Sequence, residues 1–120
     1  MILRIWRGWT TAENAAAYES FLRDEKFPYI QAQTIPGFHG IRLLRLDRSE
    51  EIEFMTITQF TDITAVKAFA GKDYERAVIA PGAGRFLTHY DERSAHYETI
   101  LTPADVRALA ARTSGRHRVI

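Results

Sequence analysis

"RIWRGWT", residues 4–10, sets two tryptophans and two arginines among seven positions. A strand that only fills a dry core favours Val and Ile, and a disordered leader lacks Trp. Period-two alternation makes residues 1–9 a strand with two unlike faces. Met1, Leu3 and Ile5 form an aliphatic set, while Ile2, Arg4, Trp6 and Gly8 form a mixed one. The aliphatic set is expected beneath helices, with Met55 and Ile57 beside it on a later strand.

Downstream, Thr10-Thr11-Ala12-Glu13 has the form of a capping box, in which a Thr hydroxyl and a Glu carboxylate satisfy free amides. It opens a helix whose apolar stripe is Ala15, Tyr18, Phe21 and Leu22. Pro28 ends or kinks that helix, because its ring clashes with the preceding turn. After the turn Ile35-Pro36-Gly37, residues 38–47 and 52–60 read as strands joined by the hairpin loop "DRSEE". Thr61-Asp62 caps a helix carrying Ile63, Val66 and Phe69, and Gly71 stands at its C-terminal cap. Residues 73–84 read as irregular with a helical turn at "YERAV", residues 86–90 as a short turn, and residues 94–101 as the fourth strand. Thr102 and Pro103 start a third helix with an apolar stripe of Val106, Leu109 and Ala110. "RTSGRHRVI" reads as a tail.

The order βαββαβ specifies an α+β, ferredoxin-like sandwich. Residues 1–101 form this domain, and residues 102–120 add a C-terminal helix and tail. Two helices cover one face of such a sheet. The other face needs a partner sheet, so the chain is expected to close as a homodimer, a dimeric α+β barrel.

The chain has 120 residues, a length suited to one domain. Its net charge of +1 comes from interleaved residues, which argues against nucleic acid as a partner. It has no cysteine, so disulfides, thiolate metal sites and a Cys nucleophile are excluded. No apolar run approaches the roughly 20 residues of a membrane span, and Arg4 and Arg7 interrupt any signal-like leader. A soluble cytoplasmic protein without a membrane partner is expected.

A face mixing aromatic, hydroxyl and cationic groups suits the wall of a ligand cavity. Arg4 and Trp6 become candidate catalytic residues, and Gly8, Phe54, Thr56, Thr58 and Phe60 candidate substrate contacts for a small hydrophobic or aromatic ligand. The alternative is that Trp6 fills a dimer interface, where Trp and Arg are common. Of four histidines, none forms a close metal-binding pair. His89 and His96, within "HYDERSAHYE", are candidate proton acceptors near neutral pH or plain strand-end polar residues. No metal or cofactor is expected. "YER" (residues 74–76) reads as a solvated turn with an Arg–Glu contact, and "PGAGR" (residues 81–85) as a flexible rim.

"MILRIWRGWTTAENAAAYESFLR", "TIPGFHGIRLLR", "IEFMTITQFTDITAVKAFAG", "ERAV" and "HYETI" together resemble small proteins of the antibiotic biosynthesis monooxygenase-like family. The resemblance covers about residues 1–100 and implies the dimeric α+β-barrel fold. It implies a cofactor-independent monooxygenase, an oxidoreductase acting on an electron-rich aromatic or polyketide-like compound. Haem-degrading relatives carry an Asn on the first strand and a Trp near the end of the third. Here Trp6 and Arg7 stand in the first neighbourhood, and Phe60 ends the third strand. A haem-binding protein using His89 or His96, and a non-catalytic small-molecule-binding dimer, are the competing expectations.

Overall fold

The structure is a computed structural model that describes residues 1–79 and 81–112. Apart from Arg112, the expected tail lies outside the described residues. The first strand, β1 (Ile2–Thr10), leads into α1 (Ala12–Phe21). A π-helical turn over Leu22–Lys26 continues into α2 (Phe27–Ala32). Then come β2 (Phe38–Asp47), β3 (Ile52–Phe60), α3 (Ile63–Ala70), a short 3₁₀ turn, β4 (Leu87–Tyr90), β5 (Ala95–Glu98) and α4 (Pro103–Ala110).

The fold is mixed α+β with a five-stranded antiparallel sheet, compatible with a ferredoxin-like arrangement. The strand order is β2-β3-β1-β4, and β5 also pairs with β1. Strands β4 and β5 thus share the place of a single fourth strand. Residues 86–90 were expected as a turn, but four of them form β4, paired with β1 from Gly8 to Thr10. The expected fourth strand is shorter, with His96 opposite Arg4 and Glu98 opposite Ile2. Asp91 sits at the break, its amide donating to Arg7 O at 2.9 Å. Short strands of alternating polarity carry too weak a periodic signal to separate strand from turn.

Several local expectations shift in register. The cap of α1 is Thr11, whose side chain accepts from the Asn14 amide at 3.1 Å, while Thr10 belongs to β1. Thr11 has the extended backbone that a cap requires. Pro28 does not end the helix. It lies in the first turn of α2, directly after the π-helical turn, and the backbone stays helical through Lys26 and Phe27. Asp62 caps α3 through the Ala65 amide, and Gly71 ends it with a φ of 91°. Thr102 and Asp105 form a reciprocal capping box on α4. Its bonds to Thr102 hold the Asp105 carboxyl below the usual aspartate range. Every residue of α4 is exposed. Tyr74 and Glu75 form a turn and not a helix, and Arg76 bridges to Arg93.

The main correction concerns which face the helices cover. Ala15, Tyr18 and Leu22 pack with Ile52 and Phe54 in one cluster. Ala65 and Val66 pack with Phe60, Phe38 and Ile2 in the other. The helix-covered face is therefore the mixed one, carrying Arg4, Trp6, Gly8, Phe54, Thr56, Thr58 and Phe60. Leu3, Ile5, Met55 and Ile57 lie on the open face, where Leu44 is 44% and Tyr97 58% exposed. Both faces of β3 are rich in apolar groups, so hydrophobicity alone did not distinguish them. The aromatic pair Phe54 and Phe60, both fully buried, marks the covered side.

Candidate functional site

Between the covered face and the helices lies a cavity of about 80 Å³. The sheet contributes Arg4, Trp6, Ile41, Thr56 and Thr58. The helical run contributes Tyr18, Leu22, Lys26, Phe27 and Ile30. The π-helical turn has a local reason: widened i→i+5 bonding ends with Phe27 N–H on Leu22 O, just ahead of Pro28. It places Leu22, Lys26 and Phe27 on the cavity wall. Phe69, Ile79, Ala83 and Ser94 complete the enclosure, and the exposed Val78 marks the mouth.

Arg4 is the dominant feature. It is 4% exposed, and among the described residues none of its contacts is an ion pair with a carboxylate. Its Nη1 donates to Tyr74 O and to His96 Nε2, the latter at 3.0 Å, and its Nη2 donates to Arg76 O at 3.0 Å. Burial pulls its pKa below the ordinary arginine value, yet a guanidinium stays protonated at any physiological pH. The "YER" segment therefore does more than turn in solvent. Glu75 and Arg76 are exposed, but the carbonyls of Tyr74 and Arg76 hold Arg4. Glu75 pairs with Arg93 at 3.7 Å and gives its carbonyl to the Ser94 amide at 2.6 Å. Residue type cannot announce a role played by backbone oxygens.

Arginine has only donors, so His96 must accept through Nε2 and carry its proton on Nδ1. Burial, and then the Arg4 charge, holds its pKa below the ordinary histidine value. A lowered folded-state pKa means the unfolded chain takes the proton first. The stabilisation from this neutral imidazole is complete above the ordinary value of about 6.5 and is lost as pH falls through the folded value. Wild type is expected to lose melting temperature below that pH more steeply than His96→Gln, read by calorimetry across an acid series. Parallel curves for the two would remove His96 from the network.

The other candidates divide. The indole N–H of Trp6 donates to Asp91 O at 2.7 Å, and the ring leans over Gly8. A Cβ at Gly8 would meet Trp6 Cη2 at 2.8 Å, so the glycine is needed for this close approach. Thr56 and Thr58 line the cavity. Phe54 and Phe60 are core residues on either side, Phe54 edge-on to Tyr18 with centroids 5.1 Å apart. His89 does not join them. It lies exposed on the open side, stacked on Trp9 at 4.3 Å with Nε2 bonded to Glu51 at 3.0 Å.

Three polar wall residues, Tyr18, Lys26 and Ser94, were not among the sequence candidates. Tyr18 looked like ordinary helix stripe, yet it reaches the cavity, and burial pushes its phenol up to about 12. Ser94 is 5% exposed, and its Oγ has no hydrogen-bond partner among the described residues. Among the described residues, no group of three or more His, Asp or Glu is placed to hold a metal ion, and no helix is long and apolar enough to cross a membrane. No family model matches the chain, and no curated protein matches it either.

Proposed function

We propose that the chain forms a homodimer of the dimeric α+β-barrel kind and takes an anionic aromatic or polyketide-like small molecule in this cavity. We propose further that it oxygenates this ligand without a cofactor, as the resemblance to the antibiotic biosynthesis monooxygenase-like family implies. One observation carries the reading. The cavity wall holds two cations, Arg4 and Lys26, and no Asp or Glu among the described residues. A cationic pocket walled by Trp6, Tyr18, Phe27 and Phe69 favours a flat anion.

The chemistry needs no dedicated base. An opposite charge close by lowers the pKa of a bound phenol, so Arg4 favours its ionised form. The electron-rich ring carbon of the phenolate, still bearing its hydrogen, gives its electron pair to dioxygen, and a carbon–oxygen bond forms as a peroxide. The peroxide takes the proton released on ionisation of the phenol, the O–O bond breaks, and the ring hydrogen and outer oxygen leave as water. A carbonyl remains, with one oxygen atom in the product and one in water. Tyr18 stays protonated throughout and can donate to a developing oxyanion. Haem draws no comparable support, because Nε2 of His89 and of His96 is already bonded to Glu51 and Arg4.

Thermal shift with aromatic anions and their neutral isosteres, followed by oxygen-electrode assays of the binders, tests this reading. Anions are expected to raise the melting temperature by several degrees and neutral isosteres to leave it unchanged. Binding without oxygen uptake would leave a non-catalytic binding dimer. If no anion binds, the cavity reading fails.

A further inference from the structure

A guanidinium presents five N–H groups in one plane. In Arg4, both Nη1 hydrogens are taken, by Tyr74 O and His96 Nε2, and one Nη2 hydrogen is taken by Arg76 O. Nε–H and the second Nη2–H have no protein acceptor among the described residues. Nε and Nη2 share one edge of the guanidinium fork, the edge that receives the two oxygens of a carboxylate side-on. The carbonyls of Tyr74 and Arg76, two residues apart on one segment, take hydrogens from Nη1 and Nη2. A buried cation is costly unless its charge is met, and no carboxylate pairs with Arg4 among the described residues.

Ser94 supplies a second, independent observation. Its hydroxyl is buried, unpartnered and on the wall of the same cavity. It lies two residues before His96, which stands opposite Arg4. A buried hydroxyl without a partner is destabilising, and a ligand oxygen would relieve it.

We propose that the ligand is an aromatic carboxylate. The Nε–H and Nη2–H edge of Arg4 grips its two oxygens, the Ser94 hydroxyl donates to one of them, and the ring lies against Trp6, Tyr18, Phe27 and Phe69. This rests on the reading of the cavity as an anion site and narrows it, since a phenolate has one oxygen where the fork offers two donors. An electron-rich ring that also carries a phenol meets both requirements.

Isothermal titration calorimetry with para-hydroxybenzoate, benzamide and para-nitrophenolate, the last above its own pKa, provides the test. In wild type the carboxylate is expected to bind at least about tenfold more tightly than either comparator, a factor worth 1.4 kcal/mol. Arg4→Lys keeps the charge and removes the fork, and a further tenfold loss specific to the carboxylate is expected. Ser94→Ala is expected to weaken it several-fold with the fold intact by circular dichroism. If Arg4→Lys fails to fold, the wild-type ranking and the Ser94→Ala loss decide. Equal binding of phenolate and carboxylate, or carboxylate binding unchanged in Arg4→Lys, overturns the fork while leaving an anion site. If none of the three probes binds wild type, this proposal and the cavity reading fall together.

Discussion

Phe60→Ala is expected to lose about 3–5 kcal/mol of folding stability, the usual cost of deleting a fully buried phenyl ring. Phe60 is 0% exposed. Its ring lies 5.7 Å from Phe38 in an edge-on contact and 5.4 Å from Phe69, and its cluster includes Val66. The void would open beside Phe69, itself a cavity wall, so ligand affinity should fall along with stability. At about 4 °C per kcal/mol for a chain of this length, the melting temperature should drop by roughly 12–20 °C. Phe60→Leu refills most of the volume and should cost less than half as much. Urea denaturation at fixed protomer concentration measures both variants. A loss below about 1 kcal/mol for the alanine variant would mean that the site collapses freely, and that the second cluster does not hold α3 to the sheet.

Ile57→Glu is expected to convert the proposed homodimer to monomers. Ile57 lies between Ile5 on β1 and Arg42 on β2, near the middle of the open face. Around it, Leu3, Ile5 and Met55 are only partly covered, and Leu44 and Leu46 are 44% and 48% exposed. A two-fold interface would bury the new carboxylate twice, and each unpaired buried charge costs several kcal/mol. Association should weaken by about a thousandfold or more. Light scattering at micromolar concentration should give twice 13.7 kDa for wild type and 13.7 kDa for the variant, with unchanged circular dichroism. Monomeric wild type would sink the dimer. A dimeric variant would move the interface elsewhere, for example to the exposed α4. The interface should bury at least about 1,000 Å².

By itself the sequence determined the elements whose signals are local. Alternation over nine or ten residues marked β1, β2 and β3, and Asp62, Gly71, Thr102 and Pro103 marked helix ends, because caps and strand pleats are settled within a few residues of chain. The oddity of Arg4 beside Trp6 was legible too, since a cation and an indole on one strand face suit a wall better than a dry core. Three things were decided only in the tertiary structure. Helix cover fell on the Phe54 and Phe60 face, because α1 and α3 pack against aromatic bulk across β1 and β3, and two apolar faces look alike along one strand. β4 emerged because β1 offers an open edge beside Gly8, which no four-residue pattern reveals. His96 joined Arg4 while His89 joined Glu51, although the two stand seven positions apart in one polar segment. The bend at Asp91 sends them to opposite sides of the sheet, and the oxygens that hold Arg4 belong to a backbone some 70 residues away. Which groups meet in a cavity depends on chain closure, a long-range property that no local spacing encodes.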